Sequence, residues 1–127
     1  MSETAEPWRP CSGTDQELFL DSVVYGYDSL KVSLSRGADS DRILHIDFGF
    51  CISVRIQPDN VYEARPWWGK LTTGSLYILS NSVHRDELLQ RSNGAYDQNF
   101  TNYFVATVES CIDVLTMEEP TVEWRDA

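Results

Sequence analysis

The sequence predicts an α+β fold: a bent, mostly antiparallel sheet of six to eight strands, as a half-barrel or two packed layers, with one short helix near residues 83–92. Three observations predict it. Residues 43–57 alternate apolar and polar side chains, which is the period of a β-strand. Shorter segments with the same alternation flank them, and turn-forming residues separate the segments. Only one of the gaps has a helical pattern, whereas parallel strands need a crossover helix between each pair.

The central stretch, residues 43–57, is the element to which the other strands must be fitted. Its even-numbered positions from Leu44 to Ile56 are apolar, and its odd-numbered positions begin with the polar His45. Gly49 at the midpoint predicts a bulge or bend, so the stretch is either one long bent strand or two strands in line. The apolar row should build the core, and mutations in it should mainly reduce stability.

A hairpin is predicted between residues 29–35 and the first half of this stretch. Leu30, Val32 and Leu34 share one face of residues 29–35, and a polar turn at residues 36–41 leads into the central stretch. An antiparallel hairpin is the simplest arrangement of two alternating segments joined by a short loop. It would place these three side chains on the same buried face as Leu44, Ile46 and Phe48.

The other elements follow from shorter patterns. Strands are predicted near residues 22–27, 61–65, 76–79, 102–108 and 111–116, with a terminal edge strand at 121–124. Asn81 or Ser82 would cap the helix, and Asn93 with Gly94 would end it.

The domain organisation is predicted to be simple. Residues 1–16 contain Pro7 and Pro10 and little to bury except Trp8, which indicates a loosely ordered N-terminal arm. Residues 17–127 are long enough for a single α+β domain but not for two.

The formal net charge of −10 is concentrated at the two ends of the chain. Residues 1–28 and residues 109–127 each carry six acidic residues against one arginine, while residues 29–108 balance eight acids with eight bases. Nucleic acid is a poor partner for such a surface, because phosphate binding needs a basic patch. A basic protein is a good partner, since opposite charges steer association. Simple solubility explains the charge equally well.

The location is expected to be cytoplasmic. The N-terminus lacks the pattern of a signal peptide, and no apolar run approaches the roughly 20 residues of a membrane span. The chain has an odd number of cysteines, and they are widely spaced: Cys11, Cys51 and Cys111. This pattern predicts three reduced thiols.

No catalytic residue, metal ligand or cofactor motif is predicted. Four polar residues lie on one face of the central stretch: His45, Asp47, Cys51 and Ser53. However, His45 and Cys51 would be on the order of 20 Å apart along a strand. A base must lie within about 3 Å of its nucleophile. His45 could still meet Ser33, Cys111 or Asp113 from a neighbouring strand. Two histidines without a CxxC or HxxxH spacing do not indicate a zinc site.

The loop containing Trp67 and Trp68 has two interpretations. These residues could form a hydrophobic lid that closes one end of the sheet. Alternatively they could anchor a binding partner, since Trp and Arg are enriched in interface hot spots and Arg65 and Lys70 flank the pair.

Several segments resemble small bacterial immunity proteins of polymorphic and contact-dependent toxin systems. They are SVVYGYDSLKVSLSR, ILHIDFGFCISVRIQ, GSLYILSNS and YFVATVESCIDVLTMEEPTVEW, which together span residues 22–124. The closing pattern, in which two strands end in a Pro-x-Val-Glu-Trp edge, contributes most to the resemblance. It implies a cytoplasmic α+β protein without catalysis that binds and blocks one cognate toxin domain, and it transfers no binding residues.

The expected function is therefore that of an immunity protein, a monomer or weak dimer that neutralises a toxin domain with a basic surface and binds neither nucleic acid nor membrane. The hypothetical toxin-binding residues are Trp67, Trp68, Asp113, Glu118, Glu119 and Glu123. The alternative is a small-ligand-binding protein or an uncharacterised enzyme that uses the polar face around His45, Asp47 and Arg55. A third possibility is an adaptor that dimerises through an exposed edge strand.

Overall fold

The computed structural model describes residues 2–37, 40–71, 74–93, 95 and 99–127. It contains β1 (Thr4–Pro7), β2 (Phe19–Tyr25), β3 (Leu30–Ser35), β4 (Arg42–Asp47), β5 (Ser53–Gln57), β6 (Leu76–Ser80), α1 (Val83–Arg91), β7 (Thr101–Ala106), β8 (Cys111–Thr116) and β9 (Thr121–Asp126). Two short 3₁₀ turns, Asp59–Val61 and Trp68–Lys70, lie between β5 and β6. Residues 38 and 39 of the predicted turn, and the predicted helix stop at Gly94, lie outside the described residues.

The strands form two antiparallel sheets that are not closed into a barrel. Sheet A has the order β1-β6-β7-β8-β5, and sheet B has the order β2-β3-β4-β9. The predicted antiparallel architecture with one short helix is confirmed. Of the two predicted arrangements, a half-barrel and two packed layers, the structure adopts the two layers. The described strands number nine, one more than the upper end of the predicted range.

The additional strand lies in the segment predicted to be a loosely ordered arm. β1 pairs with β6 at the edge of sheet A, with Ala5 opposite Leu79. The backbone N–H of Trp8 donates to the Leu76 carbonyl at 2.9 Å, and the Trp8 ring packs 4.7 Å from the ring of Tyr103. Backbone pairing and an aromatic contact therefore attach this part of the predicted arm to the core.

The central stretch is divided between the two sheets. β4 belongs to sheet B and β5 to sheet A, and residues 48–52 cross from one layer to the other. Gly49 makes the turn with φ of +65°. Both predicted arrangements, one long bent strand and two strands in line, are therefore replaced by two strands in separate layers, while the predicted bend at Gly49 is confirmed.

The main core lies between the sheets. In the β3–β4 hairpin Val32 is opposite Ile46 and Leu34 is opposite Leu44, as the alternation predicts. These side chains are fully buried against the facing residues of sheet A: Leu76, Tyr103, Val105, Ile112 and Val114. The apolar row of the central stretch up to Phe48 is thus the centre of the fold.

The outer face of sheet A is also covered. Tyr62 and Trp67 pack on Phe104 with ring centroids 4.8 and 5.2 Å away, and α1 lies over β8. The described residues 61–65 do not form the predicted strand. This segment starts with a 3₁₀ turn that carries Tyr62 onto the sheet. Trp67 is therefore a lid on the face of sheet A and not on its end.

We expect Gly49→Ala to destabilise the protein by about 1–3 kcal/mol, since a non-glycine residue at positive φ is strained. An added Cβ at this position would also overlap the Glu118 carboxylate. Gly69→Ala is the matched control, because a Cβ there would meet nothing within 4 Å. Urea unfolding of both variants is the measurement, and equal stability of the two would contradict the prediction.

Candidate functional site

Three loops meet at one end of the sandwich, and we call them the loop-end surface: residues 26–29, 48–52 and 117–120. Hydrogen bonds hold them together. The Leu30 N–H, at the end of the first loop, donates to the Gly49 carbonyl at 3.1 Å. The Thr116 hydroxyl, just before the third loop, donates to the Phe50 carbonyl at 2.9 Å. These contacts give the surface a fixed backbone.

Large apolar side chains are exposed on each of the three loops. Tyr27 is 97% exposed, Phe50 is 49% exposed and Met117 is 60% exposed. Tyr25, at the adjoining end of β2, is also exposed. Single exposed apolar residues are ordinary, but a group of them on neighbouring loops indicates an interaction site.

The same loops carry negative charge and no lysine or arginine. Asp28, Glu118 and Glu119 are exposed there. The negative charge at this end of the sandwich also affects a buried thiol. The pKa of the Cys51 thiol is raised to about 11, first by burial and then by the Asp47 and Glu118 carboxylates. The loop-end surface therefore combines apolar contact area with a negative potential.

A second group of polar side chains lies between sheet A and α1, and we call it the buried polar cluster: Ser53, Tyr62, His84, Asn102 and Asp113. Ser53 Oγ lies 2.7 Å from His84 Nε2, and His84 Nδ1 lies 3.0 Å from Asp113 Oδ1. The Asn102 amide donates to Asp113 Oδ1 at 2.5 Å, and the Tyr62 hydroxyl donates to Asp113 Oδ2 at 3.2 Å. His84 and Asp113 are each 1% exposed.

Strand alternation and helix capping place this cluster. In β8, Ile112 and Val114 point into the main core, so Asp113 between them points to the outer face beneath α1. Ser82 caps α1 by accepting the Arg85 N–H at 3.0 Å, which fixes the first turn and the His84 side chain within it. The buried carboxylate is stabilised because each of its oxygens accepts a hydrogen bond.

The structure separates the six residues expected to bind a toxin. Trp67 and Asp113 are interior: Trp67 is 5% exposed and donates to Glu3 Oε1 at 2.8 Å, and Asp113 belongs to the buried polar cluster. Trp68 is half-buried beside Trp67. Glu123 is exposed on β9, where it accepts from Arg125 Nε at 2.6 Å. Glu118 and Glu119 are the two of the six that lie on the loop-end surface.

The alternative polar site is not assembled. His45 and Asp47 share β4, where His45 Nδ1 contacts Ser33 Oγ at 3.1 Å and Asp47 accepts the Gly49 N–H at 2.9 Å. Arg55 is in the other sheet and forms a 2.5 Å ion pair with Glu87. Of the three partners considered for His45, the structure supplies Ser33.

Sequence reasoning missed the buried polar cluster. Ser53, His84 and Asp113 are about 30 residues apart in the chain and match no short motif. One signal was present, an aspartate flanked by apolar residues in a strand, since a buried carboxylate requires partners. Nothing local identified those partners, because β5 pairs with β8 and α1 packs on β8 only in the folded chain.

The three cysteines are free thiols, and two of them are buried. Burial is the main reason that the pKa of Cys111 is raised from 9.0 to about 12 and that of Cys51 to about 11. Burial likewise raises the pKa of the Tyr62 hydroxyl.

These thiols predict a loss of stability at high pH. An unfolded thiol loses its proton near its ordinary pKa of 9.0, whereas the folded one keeps it to about pH 11. Above pH 9 the unfolded state therefore binds fewer protons, and the free energy of unfolding falls as pH rises. Urea unfolding should show constant stability from pH 7 to 8 and a decline from 9 to 11, with a weaker decline in Cys51→Ala. A pH-independent stability up to pH 11 would contradict this.

Within the described ranges, no helix combines the length and apolar character needed to cross a membrane. In the same ranges no group of three or more histidine, cysteine or acidic side chains is arranged to hold a metal ion. Comparisons with protein family models, curated proteins and solved structures gave no match.

Proposed function

We propose that this chain is an immunity protein that neutralises a toxin domain by binding it through the loop-end surface. The observation that carries the proposal is the grouping of exposed Tyr27, Phe50 and Met117 with the exposed acids Glu118 and Glu119 on hydrogen-bonded loops. The sequence resemblance to immunity proteins supports the same function.

The two kinds of side chain would have separate roles in binding. Tyrosine, phenylalanine and methionine at the centre of an interface supply most of the apolar contact energy and lengthen the complex lifetime. Carboxylates around them attract a basic partner and raise the association rate. The toxin domain would therefore present a basic rim around an apolar pocket, and the loop-end surface would cover its active site or a neighbouring surface.

A growth assay tests the function directly. If a toxin gene lies next to the gene for this chain, co-expression of the toxin's lethal domain with the chain should restore growth that the domain alone abolishes. The Tyr27→Ala/Phe50→Ala variant should protect less, because it removes the apolar centre while leaving the core intact. Full growth inhibition in the presence of the wild-type chain would overturn the proposal.

Charge reversal at two positions tests the electrostatic part. Glu118→Lys/Glu119→Lys should slow association with that toxin domain by about tenfold at low salt, with the difference shrinking as ionic strength rises. The matched control is Glu109→Lys/Asp126→Lys, which changes the net charge equally. Both of its positions are exposed at the opposite ends of β8 and β9 from the loop-end surface. Stopped-flow fluorescence measures the rates, and equal slowing by both variants would show a general charge effect and contradict the proposed site.

A further inference from the structure

We propose that Ser53 is an activated nucleophile, and that Ser53, His84 and Asp113 form a hydrolytic site for small carboxylic esters. The inference is independent of toxin binding, since the buried polar cluster lies under α1 and shares no residue with the loop-end surface. It rests on the geometry of three side chains from β5, α1 and β8.

The hydrogen bonds fix the direction of proton transfer. Asp113 Oδ1 lies 3.0 Å from His84 Nδ1, so a carboxylate at that position holds the imidazole proton on Nδ1. In a neutral ring with that proton, His84 Nε2 is the acceptor, and it lies 2.7 Å from the Ser53 hydroxyl oxygen. A hydroxyl, an imidazole and a carboxylate joined in this order are the components that activate a serine nucleophile on unrelated folds.

The carboxylate is held in place by its own partners. The Asn102 amide donates to the oxygen that faces His84, at 2.5 Å, and the Tyr62 hydroxyl donates to the other oxygen at 3.2 Å. Both donors come from rigid surroundings, since Asn102 is in β7 and Tyr62 packs against Phe104. Such support keeps the imidazole oriented toward the serine, as a hydrolytic site requires.

Ser53 is the member of the three that solvent reaches. His84 and Asp113 are each 1% exposed, whereas Ser53 is partly exposed as the first residue of β5, an edge strand of sheet A. Access from a sheet edge suits a small acyl group.

The reaction would run through an acyl-serine. Ser53 Oγ attacks the ester carbonyl carbon while its proton moves to His84 Nε2. The tetrahedral intermediate collapses, the bond from carbon to the alcohol oxygen breaks, and the alcohol leaves with the proton from His84. Water then attacks the acyl-serine, gives a proton to His84 Nε2, and releases the carboxylic acid as Ser53 recovers its proton.

A fluorophosphonate probe and p-nitrophenyl acetate test the proposal on the full chain without any toxin. The probe should add one phosphonyl group to Ser53 with loss of fluoride, seen by intact-mass and peptide mass spectrometry. The chain should hydrolyse p-nitrophenyl acetate at least about 100-fold faster than Ser53→Ala. Ser33→Ala is the matched control, because Ser33 contacts an imidazole at 3.1 Å through Nδ1 instead of Nε2. It should keep both labelling and turnover.

A second variant separates activation from folding. Asp113→Asn keeps the side-chain shape but removes the negative charge that stabilises the His84 imidazolium formed during attack, so labelling and turnover should fall by about 1,000-fold or more where the near-ultraviolet circular dichroism remains native. An unlabelled wild-type chain would overturn the proposal. So would labelling of Ser53→Ala at the wild-type rate, or full reactivity in natively folded Asp113→Asn.

Discussion

Asp113→Ala is expected to lower the free energy of unfolding by about 3–5 kcal/mol, which is the usual cost of removing one partner from a buried charged network. The variant leaves the His84 ring, the Asn102 amide and the Tyr62 hydroxyl without the carboxylate that accepts their hydrogen bonds. It also opens a small cavity beneath α1. A loss of this size is a large part of the total stability of a domain of this length.

Urea unfolding followed by tryptophan fluorescence measures this loss. Ser53→Ala is the matched control, because it removes a partly exposed hydroxyl from the end of the same chain of hydrogen bonds and should cost about 1 kcal/mol. If the free energy of unfolding of Asp113→Ala were within about 1 kcal/mol of the wild-type value, the buried polar cluster would contribute little to the stability of the fold.

Glu3→Ala is expected to cost about 3 kcal/mol or more, although residue 3 lies in a segment with few apolar residues. The buried Glu3 carboxylate accepts from Arg65 Nη1 at 2.5 Å, from Trp67 Nε1 at 2.8 Å and from the Val83 N–H at 2.7 Å. One side chain thereby connects β1, the lid on sheet A and the first residue of α1. Its negative charge also lies at the N-terminus of α1, where it interacts favourably with the positive end of the helix dipole.

Glu6→Ala is the control for this variant, since Glu6 is exposed on β1, the strand that directly follows Glu3. It should leave the unfolding free energy within about 0.5 kcal/mol of the wild type. Glu3→Ala should also shift the fluorescence of Trp67 toward that of a solvated indole, because the lid loses its attachment. Unfolding of the two variants at the same urea concentration would contradict the structural role of Glu3.

The acidic ends of the chain therefore have different roles. Of the charges counted at the N-terminus, Glu3 is buried and paired, and of those counted near the C-terminus Asp113 is interior. Mutations of Glu3 and Asp113 should cost stability, although Asp113 was among the residues expected to bind a toxin. Glu118 and Glu119 remain exposed and are the acidic residues for which a binding role is proposed.

Local patterns predicted most of the sandwich correctly. Alternation predicted that the apolar rows of β3 and β4 share one buried face, and the structure shows this with Val32 opposite Ile46. A one-residue slip would turn one of the rows toward solvent. The helix start was predicted from a cap at Asn81 or Ser82, and Ser82 is the cap in the structure. The terminal strand was predicted at an edge, and β9 is an edge strand of sheet B. The bend at Gly49 was predicted from glycine alone.

By itself the sequence determined most of the strand segments, their apolar faces and where the formal charge is concentrated, because these properties depend on residues close together in the chain. Only the tertiary structure decided that residues 43–57 supply both sheets, that β1 completes sheet A, and that Ser53, His84 and Asp113 meet beneath α1. The physical reason is that strand pairing and buried hydrogen bonds join residues far apart in the chain. Their partners are selected by the packing of the whole core, which no local pattern encodes.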